Sequence, residues 1–592
     1  MDSTPKTPLQ ITGHPPNGRV PITLGVTGHR DLSADSIESV KAQLGEIFQH
    51  IRQCFEDTPI YLISALAEGA DQLAATIALD HGIYLYAALP MDKHEYRKDF
   101  ENADSRRAFD DLLGAAVYCK TQQRFDPASE RDLCYAGIGK WIVDQSDLLI
   151  SAWDGKYNGL AGGTGEVVHY ALSGELPSLE TRLDSKEWMA TTRPVMHLLS
   201  VRQSDQSIPF IADMRLYETT DALLKTRNTE RTDVFAAVSE LSNLQRANTF
   251  NQTLATKDAE QGYPLLDTDT QKLPDHLRFI HQLYLKSDLV ANHFQAIFKR
   301  YTIIFYTLTA TLMTTLLLYF RIFPIPLVLA LYVLIYVVTI VVSIRIRNSD
   351  FQRKYHLYRA VGEISRLFFF FSLSEAGRKK RASILNNYRE LQYMTRKLGE
   401  DNRWFLDALR KIQLFENDKP AEGTPANSME LVNRHWIEDQ HSYFCRALKR
   451  DEAKLRNLDL LGTSLFVVSL LSGISLFVIG YLELPFFEQI KPGLSATIGI
   501  SVGLGGILKT YTYTMGLSEL TGRYRLMQGL FEHAIERMKN DQAHKDAIFE
   551  QLWWEALMEN IEWFSLKDSR LISTISNKGA LQGVAKLAKL KS

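Results

Sequence analysis

From residue 20 the chain alternates short apolar runs with helical periodicity. The runs "ITLGVTG", "IYLISAL", "IYLYAALP", "AAVYCK", "DLLISAW" and "VMHLLSV" read as strands, rich in Val, Ile and Leu as strands covered on both faces must be. Residues 33–55, 68–81 and 131–145 between them carry helical patterns. Strands alternating with helices predict an α/β doubly wound parallel-sheet N-terminal domain. Past residue 298 the pattern changes. Four stretches, at about 301–320, 322–344, 460–482 and 492–508, contain no charged residue. A helix needs roughly 20 apolar residues to cross a bilayer, so all but the last reach that norm. "RIFPIP" and "ELPFFEQIKPG" make short turns between the members of each pair. The expectation is an all-α membrane region with four transmembrane helices in two hairpins.

Basic residues set the orientation of those hairpins. Lys299 and Arg300 precede the first span, Arg345, Arg347, Arg353 and Lys354 follow the second, and Lys449, Arg450, Lys454 and Arg456 precede the third. By the positive-inside rule both termini and the stretch between the hairpins face the cytoplasm of a multi-pass membrane protein. A Tyr-Arg pair follows each hairpin, Tyr358-Arg359 and Tyr524-Arg525, as an internal duplication or chance similarity of amphipathic helices would give. The resulting divisions are a disordered N-terminus (1–19), a ligand-sensing α/β domain (20–205), a helical coupling region (206–298), a first hairpin (299–347), a cytoplasmic helical region (348–458), a second hairpin (459–511) and C-terminal cytoplasmic helices with a tail (512–592).

Within the spans, Thr307, Thr311, Thr314 and Thr315 form one stripe of a helix. Ser495, Gly499 and Gly503 repeat small residues every four positions, which suits close helix packing more than pore lining. No Asp, Glu, Lys or Arg lies within a span, so the charged relay of a proton-coupled transporter is missing.

Charge and composition narrow the partners. With 67 Lys+Arg against 69 Asp+Glu the net charge is -2, so no global positive field recruits nucleic acid. Cys54, Cys119, Cys134 and Cys445 are scattered, without the spacing of a disulfide framework or a metal site. The first residues are polar and proline-rich, unlike a secretory signal.

In a doubly wound sheet the ligand lies beyond the carboxyl ends of the strands. The first strand ends in "GVTGHRDL", bringing Gly28, His29 and Arg30 there, and the second in "SALAEGADQLAA", with Ser64, Glu68, Gly69 and Asp71. After the fifth come Asp154 and Gly155, then "AGGTGEVV", where Gly162, Gly163 and Thr164 open a helix that includes Glu166. Glycines admit close approach of backbone N–H groups, and a helix N-terminus favours an anion. A phosphate is the natural guest, although Asp71 and Asp154 also suit plain capping roles. Neither a dinucleotide G-x-G-x-x-G nor a Walker loop is present, so hydride transfer and ATP hydrolysis lack their usual equipment.

"GVTGHRDL", "SALAEGADQLAA", "ALPMDKHEYRKDF" and "SDLLISAWDGKYNGLAGGTGEVVHYA", in that order, resemble the SLOG superfamily, a Rossmann-like group that includes the LOG phosphoribohydrolases and DNA-processing proteins. The membrane part, with "HWIEDQHSYFCRALKR" and "LWWEALMENIEWFSLKDSR", resembles the SLATT class of effectors. These resemblances imply sensing of a nucleotide-derived messenger and a pore or membrane disruption in bacterial antiphage defence. The chain departs from the LOG motif P-G-G-x-G-T-x-x-E: Ala161 replaces the proline, and His169 stands where the motif ends in Glu, with Glu166 one turn early. Binding without turnover therefore fits better than hydrolysis, and no cofactor or metal is implied. The alternative is a membrane-tethered nucleotide N-glycosidase with Glu166 or Glu68 as its carboxylate. Two hairpins enclose little space, so a pore requires a homo-oligomer.

Overall fold

The computed structural model describes residues 18–180, 192–205, 212–218, 231–256, 262–267, 272–374, 408–415 and 427–566. The six expected strands are β1 (Ile22–Gly28), β2 (Ile60–Ser64), β3 (Tyr84–Leu89), β4 (Tyr118–Thr121), β5 (Leu148–Trp153) and β6 (Val195–Leu199). A seventh, β7 (Met214–Tyr217), escapes the apolar pattern because it is a four-residue edge strand, antiparallel to β6, with a half-exposed centre. The order is β4-β3-β2-β1-β5-β6-β7, and every neighbouring pair except β6 with β7 is parallel. The chain thus walks outward from β1 to β4, then returns to the other side of β1 for β5. β1 and β5 form the topological switch point, where the crossovers diverge and leave a crevice.

The helices follow from local sequence. α1 (Ala34–Cys54) starts at Ser33, whose hydroxyl accepts the Ser36 N–H, and it buries Val40, Leu44, Ile47 and Ile51 along one stripe. α2 (Ala70–Asp80), the single turn α3 (Lys93–Tyr96), α4 (Ala103–Ala115), α5 (Arg131–Gln145) and α6 (Thr164–Ser173) complete the layers over the sheet. All six residues of β5 are buried, as a central strand covered on both faces requires.

The chain divides into two compact units, one of Met1–Ser287 with Val361–Ala426, the other of Asp288–Ala360 with Asn427–Ser592. In the first, the stretch expected as a coupling region supplies β7 and the helices Arg231–Glu240 and Ser242–Ala255. The Asn251 side chain accepts the Val20 N–H and donates to the Val20 carbonyl, both at 2.8 Å, and Thr58 donates to Asn248 at 2.9 Å. Residues 408–415 also join this unit. Lys411 donates to the Asp147 carboxylate at 2.5 Å and to the Pro21 carbonyl at 2.6 Å, while the Thr23 N–H donates to the same carboxylate at 2.9 Å. Asp147 immediately precedes β5 and Pro21 precedes β1, so one lysine ties together the starts of the two central strands.

The second unit contains four helices long and apolar enough to cross a membrane, within Asp275–Arg321, Pro326–Leu373, Ser428–Tyr481 and Phe487–Thr514. The chain is a multi-pass membrane protein in character, with Leu327, Val333, Leu334, Val341, Leu470 and Phe477 among the large apolar side chains left exposed to suit lipid. Pro326 begins the second span at a position where its missing N–H costs no helical bond. A side chain at Gly499 would reach within 3.1 Å of Leu317, one at Gly503 would overlap Met313, and one at Gly505 would meet the Phe466 ring at 3.0 Å. The fourth helix therefore approaches both the first and the third through its small residues. Ser495 donates to the Pro492 carbonyl at 3.2 Å, and Thr311 and Thr315 donate to carbonyls one turn back, Thr307 and Thr311. Thr307 and Thr311 are exposed, Thr314 is half-buried and Thr315 is buried.

Both Tyr-Arg pairs act alike. Arg359 pairs with Asp288 at 2.7 Å and Arg525 with Glu452 at 2.5 Å. Each arginine beyond a hairpin thus pairs with a carboxylate on the helix that leads into it.

Candidate functional site

At the switch point His29 lies buried just past the end of β1. Its N–H donates to the Ala152 carbonyl at 2.9 Å, lacing the end of β1 to β5, and its Nε2 accepts the Asp154 N–H at 3.0 Å. Nε2 also lies 3.3 Å from an Asp154 carboxylate oxygen. Burial, at 4% exposure, and the nearby Arg202 lower its pKa, against the pull of Asp154, so the ring is neutral. Nδ1 is buried without a hydrogen-bond partner among the described residues.

Two helices begin at this crevice without a side-chain cap, α2 after Gly69 and α6 after Gly163. At α2 the Ala70 and Gln72 N–H groups already donate to the His29 and Ala67 carbonyls, so the first turn left to present N–H groups and the positive end of a helix dipole is that of α6. Gly69 has φ +79, and a side chain there would lie 2.4 Å from the Arg30 carbonyl, so only glycine lets β1 and α2 meet. Gly162, at φ +67, is equally constrained: its added carbon would lie 2.5 Å from Tyr135 Cβ and 2.6 Å from the Ala136 nitrogen. Gly163 adopts ordinary extended backbone, and its nearest neighbour would be the Leu160 carbonyl at 3.1 Å. The two glycines of the loop therefore differ. Gly162 seats it on α5, and Gly163 starts the helix. Thr164 is half-buried in the first turn. Gly28 abuts the Ala70 methyl, and Gly155 faces His197.

Arg30 is exposed, with its guanidinium 5.1 Å from the centre of the Tyr135 ring. Sequence reasoning missed the aromatic and acidic residues behind it. Tyr135 donates to Asp99, which also takes Arg131 at 2.6 Å, and Tyr96 is buried beside them. These residues come from α3, α5 and the turn between α3 and α4, and no local motif announces that they converge.

Several candidates have structural work. Glu166 is buried, and both carboxylate oxygens accept backbone N–H groups, from Gly162 at 2.7 Å and Ser178 at 3.0 Å. It holds the loop shut. Glu68 accepts the Glu101 N–H at 2.9 Å. The Ser64 hydroxyl accepts the Leu66 N–H at 3.0 Å, shaping a turn in which Leu66 takes φ 57, uncommon outside glycine. Asp154 accepts the Lys156 N–H at 3.0 Å. Asp71, only 5% exposed, has its pKa lifted by burial to about 7, against hydrogen bonds from the backbone of Ala67 and Ala65 and the charge of Arg30. Among the described residues no group of three or more His, Cys, Asp or Glu side chains could hold a metal ion. What remains for an anion is the uncapped start of α6 and the exposed Arg30.

No family model matches this chain, and no curated protein matches it. Among solved structures it is similar to DNA processing protein A from Streptococcus pneumoniae, at 17% identity and a TM-score of 0.17, over 22% of this chain and 41% of that one. The likeness spans less than half of that protein's length.

Proposed function

We propose that this chain is a ligand-gated membrane effector. Its crevice takes a nucleotide-derived anion, and the change in its sensor unit opens a pore in, or otherwise permeabilises, the bacterial inner membrane, in a homo-oligomer acting in antiphage defence. The observation that carries this reading is the union, in one chain, of a sheet switch point bearing the uncapped start of α6 and Arg30 with four bilayer-length apolar helices. A ligand moves such an equilibrium only by its different affinity for the two states. In this reading both termini are cytoplasmic, which reporter fusions to each terminus test.

The N-glycosidase alternative loses its nearest carboxylate, because Glu166 is engaged at both oxygens. That leaves Glu68, which accepts the Glu101 N–H through Oε1. The deciding experiment incubates the full-length protein in liposomes with nucleoside monophosphates and NAD, following dye release and free base together. Release without free base supports the effector. Free base at catalytic rates supports the enzyme. In the effector reading Arg30→Ala raises the ligand concentration for half-maximal release about ten- to a hundredfold, the loss of one charge-assisted contact.

A further inference from the structure

The helices that lead into the first and third spans bring cations together where no carboxylate is left to balance them. Lys299, on the helix Asp275–Arg321, stands two residues before the apolar stretch that opens at Tyr301. Arg450 and Lys454, on the helix Asp439–Tyr481, precede the stretch that opens at Leu460. Both helices pack on the fourth, the first where Leu317 and Met313 meet Gly499 and Gly503, the third where Phe466 meets Gly505. Lys299 lies in the field of Lys454 and Arg450, with Asp451 the carboxylate that opposes them. The carboxylates nearby are already engaged. Asp451 takes Arg450 at 2.8 Å, Glu452 takes Arg525 at 2.5 Å, Asp459 takes Lys509 at 3.0 Å and Asp288 takes Arg359 at 2.7 Å. No other Asp or Glu occurs in 288–321 or 449–482. Lys299 and Lys454 are exposed, and neither has an ion-pair partner among the described residues. Like charges drawn together repel, and an anion from outside the chain relieves that repulsion.

Depth in the bilayer says which anion. At about 1.5 Å of rise per residue, Lys299 sits about 3 Å and Lys454 about 9 Å short of the apolar stretches they precede. The headgroup layer is about 5–8 Å thick on each face of a bilayer, and a lysine reaches along its own stem toward it. We propose that Lys299 and Lys454 hold the phosphate of an anionic phospholipid between the ends of the first and third spans. The site is independent of whatever the α/β unit binds. It is also narrower than the general preference of basic residues for one face of a membrane. Arg300 and Arg456 share the same two helices at similar depth, but steps of one and two residues turn them about 100° and 200° around the helix, away from the pair.

The test is native mass spectrometry of the full-length protein in detergent, titrated with phosphatidylglycerol, phosphatidylcholine and inorganic phosphate. Wild type should bind phosphatidylglycerol at least about tenfold more tightly than either of the others. A basic residue at an anionic membrane surface is worth about fivefold in affinity, so Lys299→Gln with Lys454→Gln should weaken phosphatidylglycerol about ten- to thirtyfold and leave phosphatidylcholine unchanged. Lys299→Arg with Lys454→Arg should stay close to wild type, because the charge is kept. Arg300→Gln with Arg456→Gln removes the same charge from the same helices and should leave phosphatidylglycerol binding close to wild type. An equal loss in that control overturns the site, since the whole basic face would then attract the lipid. Equal wild-type affinity for the two lipids overturns it as well. Inorganic phosphate bound as tightly as phosphatidylglycerol gives the lysines to a soluble anion and overturns the lipid.

Discussion

Replacing Lys411 by methionine tests how residues 408–415 are held to the sheet. Lys411 and Asp147 are 3% and 4% exposed, and their 2.5 Å ion pair is completed by the Pro21 carbonyl and the Thr23 N–H. Methionine keeps the length and the apolar stem but leaves the Asp147 carboxylate buried with the Thr23 N–H, at 2.9 Å, to answer it, since the Thr23 hydroxyl donates its one proton to the Gln145 carbonyl at 2.6 Å. Removing one partner of a buried pair costs about 3–5 kcal/mol, because the stranded charge remains out of water. Hydrogen exchange of the full-length protein in nanodiscs reads this locally. The Leu24 and Leu149 amides, in β1 and β5, should exchange roughly a hundredfold to several thousandfold faster. The double variant Lys411→Met with Asp147→Asn should recover most of that protection, since no bare charge is left and the amide oxygen still accepts from Thr23. A single variant that exchanges less than about tenfold faster, or a double variant that is worse than either single, would refute the reasoning.

Three further outcomes follow from the geometry. Gly162→Ala should destabilise the α/β unit in thermal melts, since its carbon would strike Tyr135 and the Ala136 backbone, whereas Gly163→Val should leave the melt near wild type and abolish phosphate binding by calorimetry. Gly499→Leu should keep nucleotide binding but stop dye release from liposomes, because the added side chain meets Leu317 across the packed helices; normal release would remove that contact from gating. Asp71, raised to about 7 in the folded chain, binds more protons folded than unfolded between its ordinary carboxyl range and about pH 7, so its contribution to stability falls as pH rises through that window and is level above it. Melting curves at pH 5 and pH 8 should therefore show a smaller decline for Asp71→Asn than for wild type.

The periodicities alone determined the architecture. Apolar runs of strand length alternating with helices admit little besides a doubly wound sheet, and uncharged stretches of bilayer length dictate spans, because each follows from local burial. β7 was illegible, since an edge strand of four residues borrows its stability from β6 and carries no run of its own. The candidate site was half legible. Gly69, Gly162, His29 and Arg30 were marked by their place after strands, because a doubly wound sheet puts its ligand beyond the carboxyl ends of its strands. Their roles were not. Gly162 and Gly163 are adjacent and identical in sequence, yet one is wedged against Tyr135 and the other opens a helix. Glu166 was visible as a carboxylate near a phosphate loop, but only the fold aimed both its oxygens at backbone N–H groups. The union of Arg30 with Tyr135, and of Lys411 with Asp147 across 264 positions, depends on which chain segments the sheet brings together. Local patterns fix which residues are buried and in what element. Partners distant in the chain are chosen by tertiary packing, which must satisfy every charge and donor it removes from water.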